Sequence, residues 1–214
     1  MAETVRPLML DHGPTIEMHT LREGPFGIES QADCEAVTLP LRAIAAARRD
    51  VDVFVIGCFS DPGLAVCREA TTAAVLGIRE CAVFAALSLG DSFGVVALGP
   101  ASIKRQSRAF REMGVASRWA GSAPLHMSVA QAEADDAHPA VAAAATSLRD
   151  RGADAIILGC AGMTRHRAPL EAQLGVPIID PTQAATIQAL GLALLSAAAE
   201  ADAPVSSERL RRQG

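Results

Sequence analysis

The sequence predicts an α/β protein of two pseudo-symmetric lobes, each with a mostly parallel sheet flanked by helices, and a ligand cleft between them. Three observations predict it. Short apolar runs typical of strands buried on both faces alternate with helix-like stretches, the pattern of parallel α/β architecture. The stretch DVFVIGC (52 to 58) is echoed by DAIILGC (154 to 160), so Cys58 falls on Cys160 at an offset of 102 residues (160 − 58). With one residue of slack, AVLGIRECAVFAAL then falls on PIIDPTQAATIQAL, and two related lobes are the simplest explanation. The third is length, since 214 residues can bury a sizeable core without disulfide staples.

In chain order the expected strands are TIEMHTL (15 to 21), DVFVIG (52 to 57), FGVVAL (93 to 98), DAIILG (154 to 159) and the shorter VPIID (176 to 180). Helix-like stretches fill the intervals at 34 to 49, 62 to 72, 80 to 90, 102 to 114, 139 to 152 and 182 to 200. Residues 1 to 90 make a first lobe, joined by the helix at 182 to 200, and residues 91 to 181 make a second. SSERLRRQG ends a polar tail over 201 to 214, expected to be solvated and frayed.

Composition narrows the function. The chain is half hydrophobic, with one Trp, no Tyr and a formal charge of −5, so it offers no basic, aromatic-bearing surface for nucleic acid. Its apolar runs fall far short of the roughly 20 residues of a membrane span, and MAETVRPLML lacks a basic n-region followed by an apolar core. The expectation is a cytoplasmic protein acting on a small molecule. Five cysteines with no C-x-x-C pair argue against a disulfide framework and a zinc site. Five histidines without H-x-H or H-x-x-x-H spacing argue against any metal. RHR (165 to 167) reads as a solvated charged patch and EADDAHP (133 to 139) as a polar linker or helix start.

The chemistry concentrates at two cysteines. In open α/β sheets ligands gather beyond the carboxyl ends of strands, where helix N-termini direct free N–H groups. Cys58 and Cys160 each stand one residue past such an end. After Cys58, Ser60 or Asp61 is a plausible N-cap, Pro62 suits the first helical position and Gly63 permits close backbone approach. A helix start there is expected to lower the thiol pKa from its ordinary value of about 8.5. Gly159 and Gly162 give the second sulfur a similar setting. Across a cleft, the two thiols would flank one carbon from opposite faces. That suits inversion of a stereocentre, one thiolate removing a proton while the opposing thiol delivers one, with backbone N–H groups stabilising the enolate-like charge and no cofactor required. Cys34, Cys67 and Cys81 lie on helical stretches and read as packing residues.

VDVFVIGCFSDPGLAVCREAT, LGIRECAVFAALSLGDSFGVV and GADAIILGCAGMTRHRAPLEAQLGVPIIDPTQAA resemble the hydantoin racemase branch of the aspartate/glutamate/hydantoin racemase superfamily, and GPFGIES (24 to 30) resembles a further family segment. The resemblance runs from about Gly24 to about Leu195. It implies a pseudo-symmetric pair of α/β lobes with the active site in the cleft, cofactor-independent racemisation of 5-substituted hydantoins or of allantoin, and homo-oligomers. Cys58 and Cys160 match the two catalytic thiols. Phe59, Ser60, Asp61 and Gly63 match the first cysteine loop, Ala161, Gly162 and Met163 the second, and Glu29 and Ser30 a loop near the substrate. The presence of both cysteines points away from the superfamily's decarboxylases, and the D-P-G-L context favours the hydantoin branch, with an amino-acid racemase of the same superfamily as the alternative. A metabolite-binding protein with little turnover is the rival from another class.

Three departures from the family pattern carry expectations. Family members begin with a strand ending in an Asn-Pro-Asn-Thr-like loop, whereas MAETVRPLML leads almost directly to the next strand. That element is expected to lie upstream of Met1 or to be lost, leaving a sheet edge or helix face exposed and the pocket short of donors. Ala97 stands where the family tends to carry a hydroxyl, and Ala74 where it tends to carry a proline.

Overall fold

The structure is a computed structural model describing residues 2–202; most of the expected tail, 203–214, lies outside the described residues. The chain opens with α1 (Ala2–Val5) and a 3₁₀ turn, then crosses extended backbone to α2 (Gln31–Ala47). A first parallel pair follows, built as β1 (Val53–Ile56), α3 (Leu64–Ala70), β2 (Ala74–Gly77) and α4 (Ile78–Leu87). Next come β3 (Phe93–Ala97), α5 (Pro100–Glu112), β4 (Trp119–Pro124), α6 (Val129–Glu133) and α7 (His138–Asp150). The chain closes through β5 (Ala155–Leu158), α8 (Arg167–Leu174), β6 (Ile178–Ile179) and α9 (Pro181–Asp202).

Two parallel sheets result, one of order β1-β2 and one of order β4-β3-β5-β6. The internal echo is structural: β1 and β5 end at Ile56 and Leu158, again 102 residues apart (158 − 56), and each pairs in parallel with the next strand of its half. The larger sheet is covered on both faces, which is why its central strands β3 and β5 are unbroken apolar runs. Val95, Ala155 and Ile157 point to α4 and α5, while Val96, Ile156 and Leu158 point to α7 and α8. Phe110 stands edge-on to Phe93, with ring centroids 5.1 Å apart, and packs against Trp119 at 5.4 Å. The closing helices exchange partners: α4 follows β2 in sequence yet buries Ile78, Ala82, Val83 and Ala86 against the larger sheet, and α9 packs on β1 and on α4. Among the described residues, no helix is long and apolar enough to cross a membrane.

Helices α1, α6 and α8 fall outside the expected helical stretches, and three strands differ from expectation. Residues 15–21 are extended but form no strand; Met18, His19 and Thr20 face solvent. Between that segment and β1 lies a cavity of about 520 Å³ lined by Ile16, Met18, Phe54 and Val55, so the backbones do not meet in a ladder. The segment is held instead at one point, where Arg48 at the end of α2 donates to Glu17 at 2.8 Å. Strand β2 is too short and too continuous with α4 in pattern to stand out. Strand β4 is an edge strand of mixed polarity, with Gly121 in the left-handed region (φ 119°) and a register shift opposite Phe93 and Gly94.

Candidate active site

Both cysteine loops leave the carboxyl ends of parallel strands, and both thiols line one cavity of about 350 Å³. The loops are made differently. After β5, Gly159 passes so close to the carbonyl of Val96 on β3 that a Cβ there would overlap it; its N–H donates to that carbonyl at 2.8 Å. The Gly162 N–H favours the Cys160 thiolate as the chain enters a 3₁₀ turn, Ala161–His166, rather than an α-helix. After β1, the Ser60 N–H favours the Cys58 thiolate, and α3 begins only at Leu64, with Gly63 at its cap in the left-handed region (φ 66°).

Asp61 therefore does not cap the helix that follows it. Its buried carboxylate reaches across to α4 and accepts from Arg79 N at 3.0 Å and Glu80 N at 3.1 Å. Gly77 precedes α4 and has no side chain to do this; a Cβ at Gly77 would collide with the Asp61 carboxylate. The sequence pair Asp61 and Gly77 is thus one N-cap assembled from two segments. Arg79 completes it, donating through Nη1 to the Ser60 carbonyl at 3.0 Å and standing 3.6 Å from Asp61. Burial raises the Asp61 carboxyl to about 6, opposed by Arg79 and the two N–H donors.

The thiols are not acidified. Burial pushes Cys58 up to about 12, and the Ser60 N–H offsets only part of that. Cys58 is open to the cavity but otherwise wrapped in protein, so desolvation of the thiolate dominates. Cys160 is raised too, first by burial, with the Gly162 N–H opposing and the carboxylates of Glu133 and Glu29 adding to the rise. Cys160 also raises Cys58, so the pair resists carrying two negative charges.

Of the residues singled out from the sequence, Cys58, Phe59, Ser60, Cys160, Ala161 and Gly162 line the cavity. Asp61 and Gly63 stand behind the first loop, where Gly63 packs on Thr38 of α2. Met163 is fully buried in the core beneath the second loop. Ser30 is the N-cap of α2 in a capping box with Asp33. Glu29 is tied by its carboxylate to Val129 N at 2.9 Å and by its carbonyl to Arg105 at 3.1 Å, which fixes the loop over the cavity. Ala97 is fully buried and does not reach the cavity; Leu98 beyond it does. The RHR patch divides: Arg165 pairs with Asp135 and Arg167 with Glu171, but His166 is buried with its Nδ1 3.3 Å from that of His138. Sequence reasoning missed Arg79, Arg105, Gln106 and Glu133, all of which line the cavity; Arg105 and Gln106 do so from α5, whose charge pattern resembles a solvated face.

The comparisons with known proteins agree with this architecture. The family model described as Asp/Glu/Hydantoin racemase matches residues 1–189. A hydantoin racemase of Paenarthrobacter aurescens is 34% identical over 169 residues, covering 76% of this chain and 71% of that protein. The allantoin racemase from Klebsiella pneumoniae superposes with a TM-score of 0.77 at 28% identity, over 82% of this chain and 74% of that one. The allantoin racemase of Pseudomonas fluorescens shares the fold over 91% of this chain and 84% of its own, with a TM-score of 0.83 at 23% identity. Fold and matches define the class as a racemase, an isomerase. Within that class the chain belongs to the Asp/Glu/hydantoin racemase family, on its hydantoin racemase branch.

Proposed function

We propose that the protein inverts the C5 stereocentre of 5-substituted hydantoins, allantoin included, with Cys58 and Cys160 as opposed base and acid and without a cofactor. The carrying observation is that two thiols, each just past the carboxyl end of a parallel strand, share one cavity of about 350 Å³. In one direction the thiolate of one cysteine takes the C5 proton, and the electron pair delocalises onto the C4 carbonyl oxygen. The opposing thiol then returns a proton to the other face of C5, leaving the thiolate on the opposite side. The reverse substrate uses the same pair with roles exchanged. A thiol pushed up by burial is scarcely ionised at neutral pH but is a stronger base once ionised, which suits a weakly acidic C–H. Phe59, Ser60, Ala161 and Gly162 shape the walls, while Asp61, Gly63, Met163, Glu29 and Ser30 hold the loops from behind. This reading takes residues 1 to 90 with the helix at 182 to 200 as one lobe and 91 to 181 as the other, and it expects a cytoplasmic homo-oligomer.

The experiment is circular dichroism of single enantiomers of 5-substituted hydantoins and of allantoin in D₂O. Loss of signal with deuterium appearing at C5 is expected. Loss with aspartate or glutamate but with none of the hydantoins would shift the reading to an amino-acid racemase, and no loss with any of them would leave a binding protein.

A further inference from the structure

Among the described cavity residues, Arg105 presents a buried charge without an ion-pair partner; the Asp33 carboxylate feels it only at longer range. It is 8% exposed, and among the described residues its guanidinium makes one hydrogen bond, through Nη1 to the carbonyl of Glu29 at 3.1 Å. Among the described residues its Nε has no partner and no carboxylate stands within ion-pair distance. Arg79, the other cavity arginine, has Asp61. Beside Arg105 one turn of α5 places Ser102 and Gln106 on the same face, toward the cavity. Gln106 is 3% exposed and joined to Ser122 Oγ at 2.7 Å, but its other amide atom is unpartnered. A guanidinium held out of water costs several kcal/mol unless something pairs with it, so such groups in native proteins are matched by a carboxylate or a ligand anion. A planar guanidinium also matches a carboxylate in a bidentate fork.

We infer that the preferred substrates carry a carboxylate on the C5 substituent, and that Arg105 with Gln106 receives it while C5 sits between the thiols. The inference rests on the hydantoin reading above and narrows its substrate class to 5-(carboxyalkyl)hydantoins. The charges around the site are arranged for this. Glu133 lines the cavity on the Cys160 side, over Gly162, and Glu29 is turned to Val129, so an anionic substituent is repelled from the second cysteine loop and drawn to α5. A neutral substituent would leave the guanidinium buried and unmatched. Arg105 here is a specificity-determining residue; it takes no part in proton transfer.

The test uses a near-isosteric pair, 5-(carboxymethyl)hydantoin and 5-(carbamoylmethyl)hydantoin, which differ in charge and hardly in size. Racemisation by the wild-type protein is followed by circular dichroism, and binding of each by calorimetry. The carboxylate is expected to exceed the amide by about tenfold or more in kcat/KM, as a charge-assisted fork over a neutral contact. Arg105→Met should lower kcat/KM for the carboxylate roughly a hundredfold and bring the ratio close to one. Equal or better turnover of the amide by the wild type, or a ratio that survives Arg105→Met, would overturn the inference. If Arg105→Met fails to fold, the wild-type ratio decides. Should neither compound be racemised, the hydantoin reading is judged separately by the wider panel of hydantoins and allantoin. Calorimetry then judges the charge preference alone: tighter carboxylate binding upholds it and equal binding overturns it.

Discussion

At the scale of single residues, environment decides what each ionisable group does. The two cysteines were legible in the sequence because a thiol at the end of an apolar run, twice, is a local pattern. Their acidity was not, since burial by loops distant in sequence outweighs the helix start that sequence displays. Both thiols are raised, so the thiolate fraction falls at neutral pH, and kcat/KM should climb with pH without a plateau in the ordinary thiol range. A pH–rate profile that levels near neutrality would contradict this. Asp61 makes an opposite-signed statement from the usual carboxylate. Its folded pKa, about 6, lies above the ordinary 3.8, so the folded state holds the proton more tightly than the unfolded chain does. The contribution of Asp61 is greatest below pH 4 and is lost as pH rises through 6. Chemical denaturation of wild type and Asp61→Asn should therefore show the wild type losing ground to the variant over that interval. Arg105 and Gln106 could not be found in SIKRQSRAFREMG by pattern, because a helix with this many charges looks solvated until the fold closes over one side of it.

At the scale of elements, the sequence reading succeeds where a segment's partner is local and fails where it is remote. The helices at 34 to 49, 80 to 90 and 139 to 152 correspond to α2, α4 and α7 within a few residues, because their apolar spacing or small-residue content is their own. TIEMHTL alternates like a strand, yet β1 lies beyond a cavity from it and no ladder forms. The cap of α4 is the sharpest case: its acceptor, Asp61, precedes it by 18 residues from Arg79 and had looked like the cap of α3. Asp61→Ala should cost about 1–2 kcal/mol of stability, the usual loss of an N-cap, measured by urea denaturation. Gly77→Ala should weaken the same cap from the other side and, by shifting the loop of Cys58, lower kcat as well. An activity loss in Gly77→Ala with unaltered stability would place the effect elsewhere.

At the scale of the whole molecule, the repeat is what makes two cysteines 102 residues apart belong to one cavity. The exchange of α4 and α9 between the sheets means that neither sheet keeps its cover without the other half. Unfolding should accordingly be a single transition. Trp119, the one tryptophan, reports the larger sheet through its contact with Phe110, and far-ultraviolet dichroism reports the whole chain. Their denaturation curves should coincide; separate midpoints would mean the halves fold independently. The pairing of the repeats was visible in sequence, whereas the swap of their closing helices was not, since an apolar helix face does not name the sheet it covers. The central claim, that each thiol serves one face of C5, is tested most directly by C5 deuterium exchange of single hydantoin enantiomers in Cys58→Ser and Cys160→Ser. Each variant should lose racemisation, and any exchange that survives should be confined to one enantiomer, opposite in the two. Wild-type racemisation by either variant, or exchange of the same enantiomer by both, would contradict it.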